Sequence, residues 1–562
     1  MKIIKDPVYG YIEIEREFVH GVIDTPYFQR LRNVRQTSYA PLYPSAEHSR
    51  FCHSLGVYYL GNMAAEILEE DAETIYEEAQ SGAGVLLKDI KRTFLLACLL
   101  HDIGHAPFSH TGENFYDTNG GKNLLEKLKT LLNSDSFNMD TDGKKLPKNH
   151  ELISAIIGLR KFGEIIPAEC HDFFVRCITG YKYRGREDCE VSDKEAPLKN
   201  EQLLNCYIEL LHSSTIDMDR LDYLLRDAYF TGHHGITIDY IRLLKGLCLH
   251  KDSKGLVRVA FTRVSLSIIE NVIYAHDSER KWIRSHPIVL YGQFVAGTII
   301  RKVNDYFKEA TGVELFCEER LLSLQDSDGL GNGSLKINYL FDDDILFIAK
   351  NYLNDSSFSD YFNRNQWRHP IWKSEAEYRH LLAEKNVLKE KLAQALGDLS
   401  NDLNKPNISG VVISDEFITE CEEQLKELNA DIDGINKKEQ EKQRKFSLQK
   451  YERKKEWAEY FKEFCDKKGI KFNIVIISAD VFQSGFSERD FGDIQIRMSK
   501  ETRTVSLAKT LPHLFGENRR QLDQEEKSLF YIFYDRTRAD SEGLETISAK
   551  EFIDFIETKC VD

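Results

Sequence analysis

Phe94-Leu95-Leu96-Ala97-Cys98-Leu99-Leu100-His101-Asp102-Ile103-Gly104-His105-Ala106-Pro107-Phe108-Ser109-His110 runs from an apolar segment directly into an ionisable pair. A charge at the end of such a run is unfavourable unless it is paired or bound to a metal. Read as a helix, adjacent His101 and Asp102 can approach one ion from different directions, and His101 and His105 share a face at i and i+4. Pro107 is then the expected helix end. A mixed imidazole and carboxylate set suits Zn, Fe or Mn better than Ca, and too few protein ligands leave room for water and substrate oxygen. The pattern points to a catalytic metal centre rather than a structural one.

Working outward, His48-Ser49-Arg50-Phe51-Cys52-His53-Ser54 supplies a further imidazole and a cation. Five of the 17 histidines fall between residues 48 and 110, all inside these two stretches, so chance clustering is a weak account. Cys52 adjoins His53, but neighbouring side chains diverge on a helix, and packing is expected of it rather than ligation. A third element, Ser214 to Asp227, reads as a helix with Asp219, Tyr223 and Asp227 on one face and Arg220 beside them. It could offer a metal carboxylate, a phosphate-binding cation and a ring. A plainer reading makes it a surface helix with Asp217 as N-cap and an Asp222–Arg226 ion pair, and from this segment alone the plainer reading is the stronger.

The ordered set of motifs tips the balance. Asp6-Pro7-Val8-Tyr9-Gly10, Ile23 to Arg32, His48 to Gly56, the His101-Asp102 segment, Asn149-His150-Glu151 and the Asp217 to Asp227 helix resemble the HD-domain deoxynucleoside triphosphate triphosphohydrolases. The branch most resembled is that of the sterile-alpha-motif and HD-domain enzymes. The resemblance covers about residues 1 to 310, with a fainter echo near 470 to 515, and no sterile-alpha-motif segment is expected ahead of it. An isolated HD pair is only moderately specific, since phosphodiesterases and nucleases share it; the ordered set is strong.

The resemblance implies that His53, His101, Asp102 and Asp219 hold a divalent metal (Mg, Mn, Fe or Zn). It implies that Arg50 and Arg220 bind the triphosphate, with His105 near the α-phosphate. His110, Glu113 and His150 match the family's catalytic cluster. Gln36 and Asp227 match positions that grip the sugar 3'-hydroxyl, and Tyr223 and Tyr274 match rings that enclose the sugar. Asp24, Gln29 and Arg32 match positions that recognise an activating nucleotide (GTP or a dNTP), whose binding assembles tetramers; a homo-oligomer, dimer or tetramer, is therefore expected. This chain departs from the pattern in several places. Arg220 replaces the usual lysine with a planar fork. Glu113 replaces a shorter aspartate, and Leu266, Glu270 and Asp277 stand where the branch has a basic residue, a histidine and a lysine. Read without the family, Gln29 to Arg32 is an amphipathic helix with a basic face, and Asp24-Thr25-Pro26 is an N-cap followed by an early proline.

The family's attack falls on the α-phosphorus, releasing deoxynucleoside and inorganic triphosphate, with His110 as general acid oriented by Glu113 or His150. Attack at the γ-phosphorus would instead give a diphosphate, and the residue types alone leave both open. Control of dNTP pools and depletion of dNTPs against phage would use the same site. The alternative is an HD-type phosphodiesterase or nuclease acting on cyclic nucleotides or single-stranded nucleic acid. A non-catalytic nucleotide sensor is the weakest reading, because the ligand and acid set is complete.

Composition narrows the partners. The formal charge of −16 over 562 residues argues against wrapping duplex DNA, which needs a basic face, but a dNTP needs only a local cationic pocket. No apolar run approaches the roughly 20 residues of a membrane span, no leader peptide is expected, and the scattered cysteines read as reduced cytoplasmic thiols. The expected fold is mainly α: an HD-type helical core over 1–310 with polar insertions at about 117–148 and 181–200, a connecting helical region 311–372, a long helical segment 373–463, and a small C-terminal α+β lobe 464–562. Within these, Gly329 to Ser334 marks a turn, and 373–463 reads as an antiparallel helix pair interrupted at Pro406 to Gly410. The mixed-charge run Gln449 to Glu456 is expected to be solvated on one side. Phe472 to Ile477, Ile494 to Arg497 and Leu529 to Tyr534 read as strands, with a closing helix at Ala549 to Thr558.

Overall fold

The structure, a computed structural model, describes every residue except 80–85, 117–121, 185–198, 214–215, 236, 252–255, 313–314, 317–336, 338, 354–355, 364–366, 384, 401–409, 431–437, 480–493, 499–503, 512–528, 537–545 and 561–562. The Gly329 to Ser334 turn and most of the 181–200 excursion lie outside the described residues. The chain is mainly α and forms two compact units, one of residues 1–280, 300–352 and 484–519, the other of 281–299, 353–483 and 520–562. These cut across the contiguous boundaries expected from sequence.

In the first unit the chain opens as an antiparallel hairpin of Lys2–Asp6 and Gly10–Ile14. Ile12 and Ile14 are buried and Tyr11 and Glu13 exposed, the period-2 alternation of a half-buried strand. Among the helices that follow are α1 (Arg50–Ile67), α2 (Leu87–Leu100), α3 (Asn149–Phe162), α4 (His171–Thr179), α5 (Lys199–Leu211), α6 (Met218–Thr231) and α7 (Leu266–Glu279). α1 is buried on nearly every face, from Phe51 through Ala65, as its small and apolar residues (Gly56, Gly61, Ala64, Ala65) permit close approach. α6 begins where sequence placed it, with the Asp217 carboxylate accepting the Arg220 N–H.

α2 ends at Leu100 rather than at Pro107. Residues 101–104 form a turn, so His101 and His105 do not stack on one helical face. The reason is contact with α3: the Gly104 N–H donates to Ser154 Oγ at 2.8 Å, and a Cβ at Gly104 would lie 2.6 Å from the Ser154 nitrogen.

The segment expected as a polar excursion at 117–148 contains two helices, Lys122–Leu132 and Asp135–Thr141. Leu124, Leu125 and Leu128 are buried, an i, i+1, i+4 stripe that average polarity concealed. Fully buried Arg176 of α4 anchors the second helix, pairing with Asp140 at 2.8 Å and donating to Ser136 Oγ at 3.2 Å.

A four-stranded sheet completes this unit, in the order Leu247–Lys251, Val257–Thr262, Gln495–Arg497, Thr504–Ser506. Val257–Thr262 and Gln495–Arg497 run parallel, with Phe261 opposite Ile496. The alternating strand near 495 therefore joins the first unit.

The second unit is built on an antiparallel sheet ordered His369–Pro370, Leu529–Tyr534, Ile474–Ala479, Gly410–Ile413. Every residue of Leu529–Tyr534 is buried. Helices α8 (Asn386–Ser400), α9 (Asp415–Ala430), α10 (Lys438–Lys468) and α11 (Ala549–Cys560) accompany it, and Trp372 is buried with Nε1 donating to the Phe530 carbonyl at 3.0 Å. Long helices fill much of 373–463 as expected, α10 alone running for 31 residues, but a strand begins at Gly410, and residues 406–409 of the expected interruption lie outside the described residues. The run expected to be solvated on one side exposes Glu452 and Glu456 and buries Lys454, which is 3% exposed. Among the described residues, no helix is long and apolar enough to cross a membrane.

Candidate active site

The first turn of α1, the end of α2 and the first turn of α6 meet at one point. His53 Nε2 lies 2.9 Å from Asp219 Oδ1, 3.3 Å from His101 Nε2 and 3.5 Å from Asp102 Oδ2. His101 Nε2 lies 3.5 Å from Asp102 Oδ1 and 3.7 Å from Asp219 Oδ1. The outer nitrogens are engaged elsewhere: His53 Nδ1 with Asp222 Oδ2 at 2.7 Å, and His101 Nδ1 with the Cys98 carbonyl at 3.0 Å. With the Nδ1 protons committed to these acceptors, two Nε2 lone pairs face each other across two carboxylates. A divalent cation relieves that arrangement, and the donor set fits Mn, Fe or Zn.

The electrostatics point the same way. Burial alone disfavours the imidazolium of His53, but hydrogen bonds to Asp219 and Asp222 and the Asp222 and Asp102 charges outweigh it and lift His53 to about 10. His101 is raised for the same reason, with Asp102 the leading partner. Burial of Asp102 opposes its ionisation, yet Arg50, His101 and His105 hold it well below the usual carboxylate range. The pocket thus has a strong demand for positive charge.

Asp222 belongs to a buried network. Its oxygens receive Arg226 at 2.9 and 3.0 Å and the Tyr9 hydroxyl at 2.7 Å, and Arg226 reaches Asp6 at 2.9 Å. The Asp222–Arg226 pair of the plainer sequence reading is real, but it lies in the core rather than on a surface, and one of its carboxylate oxygens orients a candidate metal ligand. Gly56 is required beside it, since a Cβ there would fall 1.8 Å from Asp222 Oδ1. Sequence reasoning missed this network, although Asp6 and Tyr9 sit in a quoted motif; the signal was an acid at i+3 from Asp219 on a helix otherwise buried on that side. Asp222→Asn keeps the shape but loses the charge that orients His53. Metal affinity, measured by competition with a fluorescent chelator, is expected to fall about 10- to 100-fold; unchanged affinity would remove Asp222 from this role.

A second cluster adjoins the first. Glu113 Oε1 lies 2.5 Å from His105 Nδ1 and 2.8 Å from His150 Nδ1, and Glu113 Oε2 lies 3.3 Å from His110 Nδ1. The His105 and His150 rings stack with centroids 4.0 Å apart. Burial favours protonation of Glu113, but His150, His105 and His110 together hold it well below its ordinary range. Burial also lowers His150, against the pull of Glu113. His105 was expected near the α-phosphate; it is fully buried, with Nε2 3.1 Å from Asp102 and Nδ1 on Glu113. It therefore bridges the two clusters, while the His110 side chain is 61% exposed.

The remaining candidates are placed as follows. Arg50 is buried, its guanidinium on Asp102 at 2.7 Å and on Ser109 Oγ at 3.0 Å. Asp227 is buried against His48 Nε2 at 2.8 Å, and His48 stacks on Phe230; the sequence reading gave His48 no role. Gln36 is buried, and its Oε1 has no hydrogen-bond partner among the described residues. Arg220 and Tyr223 are half-buried on α6, whereas Tyr274 on α7 is 55% exposed. Gln29 accepts from Arg32 Nε at 2.7 Å, the Arg32 guanidinium covers the Phe51 ring, and Asp24 faces Lys2 at 3.7 Å. Cys52 is outside the groups that could hold a metal.

Residues 50–175 match the HD domain family model. The chain is 32% identical over 279 residues to the uncharacterized protein MG461 of Mycoplasma genitalium, covering 48% of this chain and 52% of that one. It is likewise 32% identical over 291 residues to the deoxynucleoside triphosphate triphosphohydrolase SAMHD1 of Gallus gallus, covering 50% of this chain and 39% of that one. Among solved structures it is similar to a phosphohydrolase from Bacteroides thetaiotaomicron, with 19% identity and a TM-score of 0.47 over 95% of this chain and 100% of that one. The matches to MG461 and SAMHD1 span about half of those proteins' length or less.

Proposed function

We propose that this HD-domain chain is a metal-dependent hydrolase that converts dNTPs to deoxynucleoside and inorganic triphosphate. The observation that carries the reading is the convergence of His53, His101, Asp102 and Asp219 beside His110, Glu113 and His150. The 32% identity to SAMHD1 over half of this chain supports the substrate class. A divalent ion held by His53, His101, Asp102 and Asp219 would supply Lewis acidity and lower the pKa of the attacking water. The chain's own residues do the rest. Arg220, at the start of α6, faces the phosphates, and Asp227 and Gln36 receive the sugar 3'-hydroxyl. His110 gives its proton to the 5'-oxygen as the P–O bond breaks, and Glu113 orients that imidazole. Buried His105 keeps the two clusters at fixed separation.

In the same proposal Asp24, Gln29 and Arg32 take an activating nucleotide that assembles an oligomer, and turnover lowers cellular dNTP pools. The test uses purified protein with Mg or Mn, each dNTP singly and all four mixed, with and without GTP, and chromatographic product analysis. Deoxynucleoside plus triphosphate is expected, with rejection of ribonucleotides. Cleavage of a cyclic nucleotide or oligonucleotide with every dNTP intact would replace this reading by that of an HD phosphodiesterase or nuclease.

A further inference from the structure

The turn that presents His110 is held in a conformation that its own residues disfavour. Phe108 and Ser109 have φ of 57° and 50°, a left-handed region that residues other than glycine adopt when the surroundings over-determine it. Those surroundings are specific. The Phe108 N–H donates to Asp342 Oδ1 at 2.7 Å, and the Arg35 N–H donates to Asp342 Oδ2 at 3.1 Å. Ser109 Oγ donates to the Arg35 carbonyl and accepts from Arg50 Nε at 3.0 Å. From the other side Arg30 donates to the Leu340 carbonyl at 2.6 Å and to the His105 carbonyl at 2.6 Å.

Asp342 is the first residue of the helix Asp342–Tyr352 and is 2% exposed. An aspartate at a helix start ordinarily serves its own helix. Here that role falls to Asp344, whose Oδ2 accepts the Phe341 N–H at 2.9 Å, and both oxygens of Asp342 are directed to two other segments. Its burial is unfavourable to the carboxylate, which is pushed up to about 6 despite the two N–H donors and the charges of Arg35 and Arg30. A buried acid kept at that disadvantage, bridging two loops that flank the site, calls for a reason beyond local capping.

We propose that Asp342 is a positioning residue: by binding the Phe108 and Arg35 N–H groups together, it fixes the Ala106–His110 turn against the Arg35–Gln36 segment and aims His110 at the leaving group. This rests on the function proposed above through the role of His110; the contact itself does not. Asp342→Asn keeps the size and one good acceptor, and Asp342→Ala removes both. In the alanine variant, hydrogen exchange of the 103–110 peptide should rise at least about tenfold while peptides from α1 and α6 are unchanged. Metal content should match wild type, and kcat should fall about 10- to 100-fold with KM within about threefold, the asparagine variant falling between. Unchanged exchange and kcat in both variants would overturn the proposal, as would a uniform loss of protection across the unit, which marks a merely structural role. If the wild-type protein releases no triphosphate, the functional reading fails while the exchange measurement still decides whether the clamp exists.

Discussion

Asp102→Ala is expected to leave purified protein with less than about a tenth of the wild-type metal content and no measurable turnover, a larger loss than the 10- to 100-fold typical of an orienting partner. Asp102 is 2% exposed and lies between Arg50 at 2.7 Å, His105 at 3.1 Å and the two candidate imidazole ligands at 3.5 Å. Removing it strips the site of a carboxylate and strands the buried Arg50 guanidinium, a defect of about 3–5 kcal/mol when one partner of a buried pair is lost. Asp102→Asn removes the same charge but keeps the volume and an acceptor oxygen for Arg50, so a metal loss equal to that of the alanine variant would assign the effect to the charge.

The pH dependence has a definite sign. Arg50, His101 and His105 overcome burial and depress the folded-state pKa of Asp102 below its ordinary 3.8. Its stabilising contribution is therefore complete above about pH 4 and is lost as pH falls through the depressed value. Denaturant unfolding of Asp102→Asn should show a weaker decline of stability than wild type below pH 4. Parallel declines would contradict the assignment of Asp102 as the ionised partner of Arg50.

His110→Ala should behave in the opposite way, binding metal at wild-type stoichiometry while kcat falls about 10²- to 10⁴-fold, the range for loss of a positioned general acid. The geometry supports the separation. His110 touches Glu113 at 3.3 Å and its side chain is 61% exposed, while the four candidate ligands are joined through His53, Asp102 and α6. The alkaline limb of the pH–rate profile, which reports the proton on the acid, should vanish in the variant. Metal loss equal to that of Asp102→Ala would place His110 among the ligands instead.

The candidate metal residues were legible because their chemistry is compressed into short motifs. His101-Asp102 follows a seven-residue apolar run, and Asp219 follows an N-cap aspartate on a periodic helix. Long-range partners were not legible in the same way. Nothing local to Asp222 says that its carboxylate meets His53 169 residues away, and nothing local to Asp342 says that it reaches Phe108 across 234 residues. The helix end at Leu100 was missed because the close approach of Gly104 to Ser154 is tertiary. Pro107 was a local signal, and packing acted before it. The strand at 495–497 was visible as an alternating run, but its parallel pairing with Val257–Thr262 depends on topology that periodicity does not encode.

The central claim is that the chain's paired clusters direct attack to the α-phosphorus of a dNTP, and isotope placement tests it most directly. Turnover of each dNTP in ¹⁸O-water, followed by mass spectrometry of the products, should put one ¹⁸O in inorganic triphosphate and none in the deoxynucleoside. Label in orthophosphate with release of a deoxynucleoside diphosphate would place attack at the γ-phosphorus and contradict the account.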